Sequence, residues 1–150
     1  MEHGFHQVVF RMSRIDHIGI ATNDISKASE FWLMIGLQQG EDHVNLEQDV
    51  KIRMFHGNGE NGSKTHSKVE LIEALSEKST IARFIEKRGE GIHHIAFAVE
   101  DIKSEMKRLA GEGFQLLSEE PKPGADNKLV AFLHPKTTNG VLIELCQDRK

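Results

Sequence analysis

Apolar and polar positions alternate over residues 15–22 with the two-residue period of a strand. Ile18 and Ile20 share one face, and His17, Gly19 and Ala21 share the other. The period changes at Asn23-Asp24. Asp24 is placed to cap a helix, because its carboxylate can accept the free N–H groups of a first turn. Ala28, Phe31, Trp32 and Ile35 then recur at helical spacing as an apolar stripe, and Gly36 stops the helix.

The same succession returns later in the chain at one constant offset, that of His17 to His94. Identities fall at His17/His94, Ile18/Ile95, Ala21/Ala98, Asp24/Asp101, Ile25/Ile102, Gly36/Gly113 and Gln38/Gln115. An ungapped register across strand, cap, helix and turn marks an internal repeat. In the second copy residues 95–99 form the strand and Asp101 the cap. Ile102, Met106 and Leu109 form the stripe, and Gly111 or Gly113 the stop. Each copy ends in short strands. In the first these are residues 50–55 and 68–72, around a Gly/Asn/Ser-rich loop at 57–63. In the second they are 115–117, 129–133 and 141–146, with a Pro/Gly loop at 121–127. Residues 79–88 predict a linking helix with Ile81, Phe84 and Ile85 on one face. The pattern is β-α-β-β-β twice, an α+β chain. Module one spans 14–75, the helix 79–88 and module two 91–147; residues 1–13 form an extension outside the repeat.

Strand parity selects candidate ligands. His17 and His94 stand on faces otherwise filled by small residues, which leaves room for a ligand where a closed core would carry Leu or Val. Glu70 between Val69 and Leu71, and Glu144 between Ile143 and Leu145, put a carboxylate in the middle of a buried-looking strand. That is costly unless the carboxylate is paired or bound to a cation. His17, Glu70, His94 and Glu144 therefore predict one divalent metal ion per chain, held by nitrogen and oxygen donors that suit Zn²⁺, Co²⁺, Ni²⁺, Fe²⁺ or Mn²⁺. By parity His93 faces the helix and is structural, and Glu73 faces away. His134 before Pro135 is conformational, His43, His56 and His66 are surface positions, and Cys146 is a packing residue.

Composition narrows the picture. At 150 residues, 38% hydrophobic and 28% charged, the chain fits one domain. A net charge of −4 argues against nucleic acid and membrane as main partners. No apolar run is long enough to span a bilayer or form a signal core, so a cytoplasmic protein is expected. A single cysteine excludes an internal disulfide and a thiolate zinc cluster.

Ile15-Asp16-His17-Ile18-Gly19-Ile20-Ala21 and Gly91-Ile92-His93-His94-Ile95-Ala96-Phe97 resemble the two halves of the vicinal oxygen chelate superfamily. The similarity is greatest to its methylmalonyl-CoA epimerases. It rests on Lys68 to Ile72, Gly91 to Val99, Ser118 to Lys122, and above all Val130-Ala131-Phe132-Leu133-His134-Pro135-Lys136 followed by Gly140 to Leu145. The resemblance implies two βαβββ modules sharing a curved sheet around a metal site, with the four ligands above and Co²⁺ ahead of Ni²⁺, Mn²⁺ or Zn²⁺. It implies an acyl-CoA substrate, a homodimer, and epimerisation of methylmalonyl-CoA by C2 proton abstraction through a metal-stabilised enolate. Glu144 is the first base. Some family members carry a second glutamate at the position aligned with Ile52; here Glu47, just upstream, is the candidate. Lys122 and Lys128 are candidates to meet CoA phosphates. A glyoxalase-type lactoylglutathione lyase and a non-catalytic small-molecule-binding relative are the alternatives.

Overall fold

The computed structural model describes residues 14–149, so the expected 1–13 extension lies outside the described residues. The chain runs through β1 (Arg14–Ala21), α1 (Ile25–Met34), β2 (Gln38–Asn45), β3 (Val50–Asn58), β4 (Lys64–Ala74) and α2 (Thr80–Arg88). It continues through β5 (Gly91–Ala98), α3 (Ile102–Gly111), β6 (Lys122–Gly124), β7 (Lys128–Leu133) and β8 (Ile143–Asp148). Eight strands form one mixed sheet in the order β2-β3-β4-β1-β5-β8-β7-β6, curled into a half-barrel. The two modules mirror each other about the antiparallel β1–β5 pair. Each first strand pairs in parallel with the last strand of its own module, β1 with β4 and β5 with β8.

The repeat extends to the helix caps. Asp24 Oδ1 accepts from Lys27 N at 3.1 Å and Asp101 Oδ1 from Ser104 N at 3.2 Å. A side chain from each last strand reaches the same helix start: Glu73 accepts from Ile25 N at 2.8 Å and Gln147 from Ile102 N at 2.7 Å. Glu73 thus faces away from the candidate ligands, as its parity requires. Both helices leave through a left-handed glycine, Gly36 at φ 104° and Gly113 at φ 97°.

α1 packs Ile25 on Phe55 and Leu71, and α3 packs Ile102 and Met106 on Ala131 and Leu145. α2 presses Ile81 against Ala21, Val50, Ile52, Met54 and Ile72.

Four expectations need correction. The buried side of α1 is Ile25 and Ser29, with Ala28 and Trp32 packed beside them. Phe31 and Ile35 remain 58% and 56% exposed, because they lie a rotation away from the face that meets the sheet. β2 was not foreseen, because an edge strand paired on one side tolerates the polar sequence QQGEDHVN. Residues 115–117 supply one isolated bridge, Leu116 to Leu133, while the strand at that place in the module is β6, inside the expected Pro/Gly loop. β6 is an edge strand as well, where Pro123 is tolerated.

Candidate metal centre

The four candidate ligands come from four adjacent strands at the centre of the sheet. Gly19 of β1 is in register with Glu70 on β4 and with His94 on β5. Ala96 of β5 is in register with His17 on β1 and with Glu144 on β8. Two rows therefore cross the sheet, Glu70–Gly19–His94 and His17–Ala96–Glu144. In each row a small residue stands beside the histidine. Its size is a requirement at Gly19, where a methyl group would collide with the His94 ring.

The side chains converge. His17 Nε2 lies 3.1 Å from His94 Nε2, 3.0 Å from Glu144 Oε2 and 3.3 Å from Glu70 Oε2. His94 Nε2 lies 3.0 Å from Glu144 Oε2 and 3.8 Å from Glu70 Oε1. All four residues are buried. Donors about 2.0–2.2 Å from one ion stand about 3.0 Å apart at right angles and about 3.4 Å apart at tetrahedral angles, which is the spacing found. Glu144 Oε2 is buried without a hydrogen-bond partner, although two imidazole nitrogens are close to it. A buried oxygen among nitrogen lone pairs calls for a cation, so the donor set fits a divalent metal ion.

Outer partners aim the imidazoles. The β1–β5 ladder slips between Ile15 and His17, and again on the β5 side opposite Gly19 and Ile20, where His93 is the extra residue. A bulge breaks strict alternation, so the bulged residue can share a side with its neighbour. Asp16 Oδ2 lies 2.8 Å from His17 Nδ1, and His93 Nδ1 lies 2.9 Å from His94 Nδ1. Asp16 can only accept, so His17 Nδ1 carries a proton, and Nε2 is the nitrogen left to face a metal ion. His93, expected to face the helix, packs edge-on against Phe84 of α2 at 5.0 Å and also borders the candidate metal cavity. The reason is the bulge, which parity does not anticipate. Asp16 went unnoticed in the sequence; its only signal was that Asp16-His17 and His93-His94 occupy equivalent places in the repeat.

Electrostatics agree with a site for positive charge. Burial alone would push the His17 imidazole down, but the Glu70, Asp16 and Glu144 carboxylates outweigh it and carry the group up to about 10. Burial pushes Glu144 up, yet the His17 and His94 imidazoles bring it down to about 2. Glu70 is raised, by burial first and by the Glu144 charge, against the pull of both histidines. Burial, with the His94 charge, takes His93 down to about 4, so it is neutral at pH 7 and able to accept from His94 Nδ1. Against its burial, Asp16 is held below the carboxylate range by His17 and by Lys68 and Lys128, at 3.3 and 3.8 Å.

Cys146 also comes near Asp16 and His17, but burial pushes its thiol well up and keeps it protonated, a poor ligand. His134 Nδ1 accepts from Lys136 N at 3.0 Å in a single 3₁₀ turn, a conformational role. Glu47 lies exposed in the β2–β3 turn, and its neighbours Asn45 and Gln48 are the ones that line the cavity. That cavity, about 90 Å³, is walled by Ile52, Ile72 and Phe132 beside Glu70, His94 and Glu144. Lys128 is buried and paired with Asp148 and Asp16, so it is not free to meet a phosphate.

Residues 16–132 match the family model described as Glyoxalase/Bleomycin resistance protein/Dioxygenase superfamily. The chain belongs to that superfamily. It is 37% identical over 139 residues to the ethylmalonyl-CoA/methylmalonyl-CoA epimerase of Cereibacter sphaeroides, covering 91% of this chain and 98% of the relative. It is 39% identical over 139 residues to YqjC of Bacillus subtilis, an uncharacterized protein, covering 92% and 94%. The solved Streptomyces coelicolor methylmalonyl-CoA epimerase, a complex with 2-nitronate-propionyl-CoA, superposes with a TM-score of 0.84 at 35% identity, covering 93% of this chain and 99% of that one. The two modules are the fold of this superfamily, and at this likeness the chain is an isomerase of the epimerase type.

Proposed function

We propose that the protein epimerises methylmalonyl-CoA with one bound divalent ion, Co²⁺ by resemblance, held by His17, Glu70, His94 and Glu144. The observation that carries this reading is the pair of carboxylates, one from each module, meeting two histidines beside an apolar-walled cavity. When bound, the ion would supply electrostatic stabilisation for negative charge developing on a thioester oxygen. The chain's own residues do the rest. Ile52, Ile72 and Phe132 exclude water. Glu144, held ionised, accepts the C2 proton. Inversion needs proton exchange at the opposite face of the same carbon. Glu70 is our candidate there, in place of Glu47. It comes from β4, which lies on the other side of the β1–β5 pair from the β8 strand that carries Glu144.

Proton NMR of methylmalonyl-CoA in D₂O tests the reaction: the C2 proton is expected to exchange at a rate that depends on protein and metal. An absence of exchange, together with turnover of the hemithioacetal of methylglyoxal and glutathione, would assign the chain to glyoxalase chemistry instead. That second chemistry would use the same four ligands.

A further inference from the structure

The Asp16 carboxylate, 1% exposed, has more partners than its contact with His17 requires. Lys68 Nζ of β4 lies 3.3 Å from Oδ2, the oxygen that faces His17 Nδ1. Lys128 Nζ of β7 and Arg14 Nη1 each lie 3.8 Å from Oδ1. Arg14 is exposed, but the lysines are not. Lys128 is buried and paired further with Asp148 of β8, and the Lys68 side chain is only 12% exposed. One lysine comes from each module, and β4 and β7 flank the β1–β5 pair on opposite sides.

Two ammonium groups withdrawn from water are costly, and buried ion pairs are a weak source of stability. The repeated scaffold does not need them. Glu70 stands opposite Met54 and Glu144 opposite Phe132 across their ladders. Counted equally from those pairs, Leu142 holds in module two the place of Lys68, and Val50 holds in module one the place of Lys128. Apolar side chains fill both places in the half of the site where His93, not a carboxylate, supports the ligating histidine. The lysines accompany the carboxylate and not the fold.

We propose that Lys68 and Lys128 are positioning residues of the metal centre: they fix the Asp16 carboxylate between the modules, so that Oδ2 holds His17 Nδ1 and His17 Nε2 stays aimed at the ion. The assignment rests on the metal reading above and adds what aims one of its ligands. A lone aspartate turns broadly about its last side-chain bond. A cation against each oxygen sets the plane of the carboxylate, and that plane sets the imidazole. Lys128, itself held by Asp148, ties the last hairpin of module two to a ligand of module one.

Chelator competition for Co²⁺ on the full chain tests the assignment through a double-mutant cycle with Asp16→Asn. Lys68→Met and Lys128→Met keep an unbranched apolar stem and remove the charge. Each is expected to weaken Co²⁺ binding by about tenfold. In the Asp16→Asn background the same replacements should change it by less than about twofold, because the group through which they act is gone. Lys68→Arg and Lys128→Arg should restore most of the affinity. In the chelated protein the ¹H–¹⁵N signal of His17 Nδ1–H gives a readout apart from metal binding: it should exchange with water faster in each Met variant. Lys68→Gln and Lys128→Gln take the place of a Met variant that does not fold. Equal losses in the two backgrounds would make the lysines structural and overturn the proposal. Lysine variants within about twofold of a wild type that binds Co²⁺ would remove this proposal alone. A wild type without Co²⁺ affinity would remove the metal reading and this proposal with it.

Discussion

Asp16-His17 in module one and His93-His94 in module two hold equivalent places, on adjacent strands, each beside a slip in the ladder. Each pair presents one Nε2 to the same cluster, but the supports differ. His17 leans on a carboxylate that is itself clamped by Lys68 and Lys128; His94 leans on a neutral imidazole. The difference teaches that a duplicated fold can keep its ligand geometry while its outer partners diverge. A carboxylate partner makes its histidine the stronger donor, so module one supplies the more basic imidazole. The glutamates diverge too, with Glu70 of module one raised and Glu144 of module two depressed.

The largest expected effect sharpens that contrast. Glu70→Gln and Glu144→Gln should each slow C2 exchange by about 10²–10⁴-fold if both carboxylates move protons. In single-epimer assays each variant should exchange one epimer more slowly than the other, in opposite senses. A Glu70→Gln protein with wild-type rates would leave Glu144 as the sole base.

Next comes the pair of small residues. Gly19→Ala drives a methyl group into the His94 ring, so it should cost about 1–3 kcal/mol of stability and most of the metal affinity. Ala96→Gly, in the equivalent row beside His17, should bind metal nearly as well as wild type. Equilibrium dialysis followed by metal analysis reads both, and a fully loaded Gly19→Ala protein would contradict the packing argument.

The outer partners should differ in degree. Asp16→Asn should weaken metal binding by about 10–100-fold. His93→Gln exchanges one neutral partner for another and should cost less. Competition with a chromophoric chelator measures the two, and equal losses would mean that the carboxylate adds nothing over an imidazole.

The smallest effect is one of pH. In the chelated protein His17 titrates near 10, above its unfolded value of 6.5. Its contribution to stability is fully present below 6.5 and is lost as pH rises through about 10. Thermal unfolding of the chelated protein should therefore weaken over that window. The metal-loaded protein should not follow, because ligation has already displaced the proton. Parallel profiles would remove His17 as the titrating group.

Much of this was legible in the sequence because it is local or repeated. The caps at Asp24 and Asp101, the linking helix and the alternation that singles out His17, Glu70, His94 and Glu144 all follow from spacing along one segment. The repeat turned those separate signals into two matching halves, and the resemblance added an acyl-CoA chemistry. The edge strands β2 and β6 escaped, because an edge needs little apolar pattern. The supporting roles of Asp16 and His93 are not legible for a different reason: a bulge is an event between two strands, and the period of either strand alone does not contain it. Only the curled sheet decided that Gly19 must admit the His94 ring, that Glu47 stays outside the cavity while Glu70 enters it, and that Lys68 and Lys128 close on Asp16. Those outcomes depend on distances between residues far apart in the chain. Periodicity sets which way a side chain points, and tertiary packing sets what it meets.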